Sequence, residues 1–143
     1  MKEFSGYVTV RSFDGMNIPI TLQHNTMRKY CDELSAIYKL AQTELVVKSS
    51  SFVLFSILKK IKNNGNLVMC SIFMLPESYI CRNKILNYVK KKKVKIHFVF
   101  ENFIVHDEKS FFEMENLLSL KSYINNHNPQ EYLEFFKSFQ SIN

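Results

Sequence analysis

The chain has 143 residues, 46% apolar and 14% aromatic with 13 Phe, and a formal net charge of +6. That length supports a core without disulfides or a structural metal, and the composition excludes a disordered chain. Cys31, Cys70 and Cys81 form no CxxC pair and match no histidine spacing, so neither a disulfide framework nor a zinc site is suggested; no metal and no cofactor are expected. Gly6, Gly15 and Gly65 are the only glycines, too few to write a GxGxxG or GxxxxGK phosphate loop. The opening residues, Met1 to Gly6, lack a basic region followed by an apolar stretch, and no apolar run approaches bilayer length. A cytoplasmic chain with no membrane contact is expected.

In chain order, Gly6 to Val10 reads as a first strand, because Tyr-Val-Thr-Val is aromatic and β-branched, and Asp14-Gly15 is a turn signal. Pro19 cannot continue a strand, and Leu22, Met27, Tyr30, Cys31 and Leu34 fall near helical spacing, giving a helix over Leu22 to Leu34. Ile37 to Leu40 is a short strand. Leu45 to Val47 is an apolar stretch before Ser49-Ser50-Ser51, which can cap a helix with a buried stripe at Phe52, Phe55, Leu58 and Ile61 and a C-cap at Gly65. Leu67 to Ser71 is a nearly continuous apolar run, as in a strand covered on both faces. Ser78 to Lys91 repeats the helix pattern, and Val94 to Phe100 is another buried strand with Glu101 at its exit. His97, within that strand, is expected to be a satisfied core histidine.

The alternation predicts an α/β fold: a small, mainly parallel sheet with helices on both faces, in a flavodoxin-like three-layer arrangement. One domain is expected, with a βαβ core over residues 1–105 and a helical part over 106–143. That part holds a long amphipathic helix from Asp107 to Asn125 and a shorter one from Pro129 to Phe139, with a weak boundary at residues 125–129. Phe111, Phe112, Met114, Leu117, Leu118, Leu120, Tyr123 and Ile124 cover more of the long helix than one stripe needs. A homo-oligomer held by this helix is therefore expected, with coverage by the C-terminal helix as the rival account.

Much of the positive charge sits in Lys90-Lys91-Lys92-Lys93 and Lys95, after a helix and before a strand. A solvated helix end suited to the dipole is the ordinary reading, and a phosphate-binding patch is the alternative. Ligands of open α/β sheets bind outside the carboxyl ends of the strands. That rule selects Arg11 and Ser12 after the first strand, Gln23 and His24 at the first helix, Thr43 and Glu44 after the second strand, Ser71 after the third, and Glu101. Arg28 and Arg82 lie one or two turns into helices whose starts face the same edge. Arg11, Ser12, Gln23, Arg28 and Arg82 are thus candidate ligand-binding residues, and Glu44, Glu101 and Ser71 candidate catalytic ones.

Two resemblances bear on these residues. Gly6-Tyr7-Val8-Thr9-Val10-Arg11-Ser12, Gly65-Asn66-Leu67-Val68-Met69 and the long late helix resemble the catalytic domain of serine resolvases and invertases. Where that family has Tyr-x-Arg-x-Ser, this chain has Thr9 at the arginine position and Arg11 at the serine position, with Ser12 one residue late. Where it has Asp-Arg-Leu-x-Arg, this chain has Phe73-Met74-Leu75-Pro76-Glu77, and no room for a helix-turn-helix domain is expected after the long helix. The resemblance implies a resolvase-like fold without strand exchange.

The second resemblance, over roughly residues 5 to 105, is to the sporadic carbohydrate cluster protein family of surface-polysaccharide genes. It is carried by Gly6-Tyr7-Val8 with Arg11, Ile18-Pro19 leading to Gln23, Arg28-Lys29-Tyr30-Cys31, Thr43-Glu44, Ser71 to Pro76, Arg82, and His97 to Glu101. It implies an accessory enzyme or binding protein acting on a sugar, sugar phosphate or nucleotide sugar, with nucleic acid disfavoured as a partner. The alternative is a catalytically inactive, serine-recombinase-like module that binds nucleic acid or regulates, through the lysine run.

Overall fold

The computed structural model describes residues 1–44, 51–126 and 137. The strands are β1 (Glu3–Thr9), β2 (Ile37–Glu44), β3 (Asn66–Met69), β4 (Lys95–Phe98) and β5 (Phe103–Val105). The helices are α1 (Ile20–Glu33), α2 (Phe52–Lys60), α3 (Tyr79–Lys92) and α4 (Glu108–Asn126), with a 3₁₀ turn at Ile72–Met74. The sheet order is β2-β1-β3-β4-β5. The first four strands run parallel and β5 returns antiparallel to β4. This is the α/β fold expected from the alternation of elements.

Right-handed crossovers put α1 on one face of such a sheet and α2 and α3 on the other. The strand alternation of β1 agrees. Phe4 meets Tyr30 of α1, with ring centroids 6.4 Å apart, whereas Tyr7 reaches towards the start of α2 through Glu44. All four residues of β3 are buried, as a central parallel strand requires.

The structure departs from the sequence reading in four places. The strand expected to run to Phe100 ends at Phe98 and turns back, because Asn102 takes a left-handed conformation (φ 49°) and its N–H donates to the Val99 carbonyl. Phe103–Val105 then pairs with β4, and Glu101 lies in the turn between them. The second strand runs on to Glu44, past the expected end at Leu40. Gly65 is not the cap of α2, which ends at Lys60 with Ile61 extended. Glycine is required there by close approach, since a Cβ would stand 2.6 Å from Ile61 Cγ1 and 2.8 Å from the Lys62 carbonyl oxygen. The buried stripe of α2 is Leu54, Ile57 and Leu58, while Phe52 is 73% exposed.

The Asp14-Gly15 signal forms a tight turn. Both residues have positive φ, and Phe13 and Met16 exchange backbone hydrogen bonds across it, as in a two-residue hairpin of type I′. At the start of α4 the Asp107 carboxylate accepts the Ser110 N–H at 2.8 Å, while the Ser110 hydroxyl accepts the N–H groups of His106 and Asp107. Along α4, Phe111 and Met114 are buried, and Phe112 and Leu117 remain exposed. The expected stretch at Leu45 to Val47, the serines at 49 and 50, and, apart from residue 137, the short C-terminal helix from Pro129 to Phe139 lie outside the described residues.

His97 is indeed a core histidine. Its Nε2 lies 3.1 Å from Asn66 Oδ1 and its Nδ1 2.8 Å from the Tyr30 hydroxyl, with the Phe4 ring 4.6 Å away. Asn66 Oδ1 can only accept, so the neutral ring donates from Nε2 and accepts at Nδ1. Burial, reinforced by Lys95 and Lys2, lowers its pKa to about 4. Because the folded value lies below the usual 6.5, the unfolded chain binds the extra proton first. Stability is therefore expected to be full above about pH 6.5 and to fall as pH drops towards 4. Urea unfolding across that window reads this slope, and His97→Gln should flatten it.

Candidate functional site

The carboxyl ends of β1 and β2 meet at a buried carboxylate. Glu44, paired in register with Thr9, is 1% exposed. It accepts the Tyr7 hydroxyl at 2.9 Å and the backbone N–H groups of Val53 and Leu54 at 3.2 Å each. These are the orphan donors of the first turn of α2, where a negative charge also suits the helix dipole. Burial and the Glu44 carboxylate push the Tyr7 hydroxyl pKa far up, so it remains a donor at any ordinary pH.

Gln23 closes the end of β1 in a similar way. Its side chain accepts the Thr9 N–H at 3.2 Å and donates to the carbonyls of Thr9 (2.8 Å) and Ile18 (2.9 Å), so its amide stands in for a neighbouring strand. Arg11 follows, with its guanidinium donating to the Met74 carbonyl at 3.2 Å and lying close enough to Tyr7 to oppose the rise in its pKa. Ser12 beside it is exposed.

A second group forms where the β4–β5 turn meets the 3₁₀ turn. Glu101 accepts the Ile72 N–H at 2.5 Å, and Ser71 accepts the Phe73 N–H at 3.2 Å. Burial raises the Glu101 pKa against the opposing hydrogen bonds from Ile72 and Ser71, and Asp14 raises it further. The Cys70 thiol, buried beside this carboxylate, is pushed up to about 12 and is no nucleophile at neutral pH.

Arg82 lies at the far end of this edge. It forms a bidentate pair with Glu115 of α4 (2.6 and 2.9 Å) and donates to the carbonyls of Pro76 and Glu77, so most of its donors are committed to holding α3, α4 and the loop together. Arg28 is elsewhere, over the Tyr38 ring at 5.8 Å, where the Tyr38 hydroxyl bonds His24 at 2.8 Å. The structure thus places both Arg11 and Glu44 beside Tyr7, and brings Ser71 together with Glu101. It leaves Arg28 on the α1–β2 face. Tyr7, which orders the first pair, was legible only as a strand residue.

The opposite, amino edge of the sheet is basic. The Lys92 ammonium donates to the carbonyls of Leu58, Lys59 and Ile61, which pins the end of α3 to the end of α2. Backbone bonds from Asn64 to Lys92 and from Lys95 to Gly65 continue the junction. Lys60 and Lys62 share one surface cleft with Lys2 and Lys39, and Lys2 shares the next cleft with Lys95. Glu3, paired with Lys39 at 2.9 Å, is the one carboxylate lining either cleft among the described residues. The sequence signal was present, since lysines close both α2 and α3, but only the topology places those helix ends side by side.

No protein-family model and no curated protein matches this chain. Among solved structures it is similar to the N-terminal catalytic domain of TP901-1 integrase, with a TM-score of 0.62 and 12% identity over 87% of this chain and 97% of that one. At that identity the likeness establishes the fold, which is resolvase-like as expected. It overturns the surface-carbohydrate reading. Nothing found supports the sporadic carbohydrate cluster family, the structural neighbour is an integrase domain, and the sugar or nucleotide-sugar ligand and the disfavouring of nucleic acid fall with that reading. Among the described residues no helix is long and apolar enough to cross a membrane.

The Tyr7–Glu44 network makes a stability prediction. Tyr7→Phe removes one donor from a buried carboxylate and is expected to cost about 1–3 kcal/mol. Glu44→Ala leaves the α2 donors unpaired as well and should cost more. Chemical denaturation measures both, and a Tyr7→Phe protein as stable as the parent would refute the assignment.

Proposed function

We propose that this chain is a recombinase-fold module that binds the phosphate backbone of duplex DNA and has lost strand-exchange chemistry. The observation that carries the reading is the convergence of Lys2, Lys39, Lys60, Lys62 and Lys95 around the amino edge, with Lys91 and Lys93 at the adjoining end of α3. A field of one sign on a surface that holds few carboxylates attracts a polyanion and releases its counterions. The likeness to an integrase domain supports nucleic acid as that polyanion.

Loss of chemistry is supported at the carboxyl edge. Position 11, which the resolvase pattern gives to serine, holds an arginine bonded to the Met74 carbonyl. Position 9, which it gives to arginine, holds a threonine that is fully buried. The segment Phe73-Met74-Leu75-Pro76-Glu77 offers neither arginine of the second motif. A nucleophile and the cations that would stabilise a transferring phosphoryl group are both missing from the places the pattern assigns them.

Fluorescence anisotropy with a labelled duplex tests the reading. Affinity should fall steeply with salt, log K against log[salt] having a slope of about −0.9 per phosphate neutralised. Combined replacement of Lys60, Lys62, Lys91 and Lys95 by Glu should weaken binding by about tenfold or more and flatten that slope. Lys92 is left intact because it holds α2 to α3. Affinity unchanged in the fourfold variant, or absent in the parent, overturns the proposal.

A further inference from the structure

Next to the lysine edge, α2 and α3 border a cleft of about 660 Å³ whose walls are aromatic and basic. Phe52, Phe55 and Tyr88 supply the rings, and Lys59, Lys84 and Lys91 the charge, with no carboxylate among the described lining residues. The Phe55 and Tyr88 rings lie 6.5 Å apart, and Lys92 sits 5.8 Å from the Tyr88 centroid, held there by the α2 carbonyls. Phe52 has no such support and is 73% exposed. Lys59 and Lys91 belong both to this cleft and to the ends of α2 and α3 that border the lysine edge.

We infer that this cleft takes an unpaired stretch of a nucleic-acid strand, its bases stacked on Phe52, Phe55 and Tyr88 and its phosphates on Lys59, Lys84 and Lys91. The inference rests on the proposed nucleic-acid function and deepens it. A duplex presents its phosphates outwards and keeps its base faces covered, so it would satisfy the lysines and leave the rings idle. An unpaired strand satisfies both, since every base has a face to stack and each nucleotide carries one charge. An acidic peptide would meet the lysines alone. The volume falls within the range of about 300–1,000 Å³ found for small-molecule sites.

Anisotropy with labelled oligothymidylate, an abasic oligonucleotide of equal length and a duplex decides the matter. Phe52→Ala is expected to weaken oligothymidylate binding about tenfold, as loss of one base–aromatic stack does, and to leave duplex affinity unchanged. Lys84→Glu, which lies outside the amino edge, should weaken the single strand several-fold and the duplex little. Phe52 is exposed, so its replacement keeps the fold, as an unchanged urea midpoint would verify. Equal affinity for the abasic strand, or oligothymidylate binding indifferent to both substitutions, overturns this inference while the duplex reading stands. Duplex binding indifferent to the amino-edge lysines, with oligothymidylate still sensitive to Phe52, removes the duplex reading and keeps this one. Binding of none of the three ligands removes both.

Discussion

The buried Glu44 carboxylate is the constraint on which the rest of the arrangement depends. It ends β2 in register with Thr9, receives Tyr7 from the neighbouring strand, and accepts the first N–H groups of α2. A carboxyl group at 1% exposure is tolerable only with such partners, because a buried polar group left unpaired costs about 1–3 kcal/mol. The direction of α2 is thereby fixed at its start. Nine residues later the helix ends beside α3, where Lys92 caps its carbonyls. Both the lysine edge and the aromatic cleft follow from where that helix is made to begin.

The same accounting explains why the carboxyl edge, the usual place for chemistry in an open α/β sheet, is poor in free reactive groups. Gln23 is spent on the backbone at the end of β1, and Arg82 on Glu115 and two carbonyls. Arg11 lies against the 3₁₀ turn, and Glu101 accepts from its first N–H. These side chains replace the backbone partners that strands and helix starts lack at a sheet edge. Sequence position alone cannot separate such closing roles from reactive ones, since both require polar residues in the same loops.

How much could be read beforehand follows from the range of each signal. Helix periodicity and the apolar run Leu67 to Ser71 are local, and α1, α3 and α4 lie where expected, with β3 at Asn66–Met69 within two residues of that run. Asp14-Gly15 is local too. Strand β5 was missed because its three residues are too short for alternation to register, and the turn before it uses Asn102 rather than glycine to reach a positive φ. Of the stripe expected on α2 at Phe52, Phe55, Leu58 and Ile61, Leu58 is fully buried beside Leu54 and Ile57, Phe55 and Ile61 are half-buried, and Phe52 lies outside. The carbohydrate resemblance draws on ordered motifs from Gly6 to Glu101 that include the polar residues Arg28, Glu44, Ser71, Arg82 and Glu101. In space Arg28 stands apart, and the others divide into separate hydrogen-bonded groups.

The lysine edge raises the question of whether a helix dipole accounts for it. Lysines at the last turns of α2 and α3 meet the negative ends of two helices, and such contacts are worth about 0.3–1 kcal/mol each within that turn. This covers Lys59, Lys60, Lys90 and Lys91, and Lys92 is spent on carbonyls outright. It does not cover Lys2 or Lys95, which belong to strand starts, where no row of helix carbonyls lacks partners, while Lys39 has its own partner in Glu3. Nor does it cover Lys62, beyond the end of α2 and close enough to Glu3 to lower that carboxyl's pKa. Folding alone would gain from fewer like charges at this edge, because each added lysine repels the rest. An external polyanion would turn this repulsion into attraction, which is the arrangement the proposed function requires.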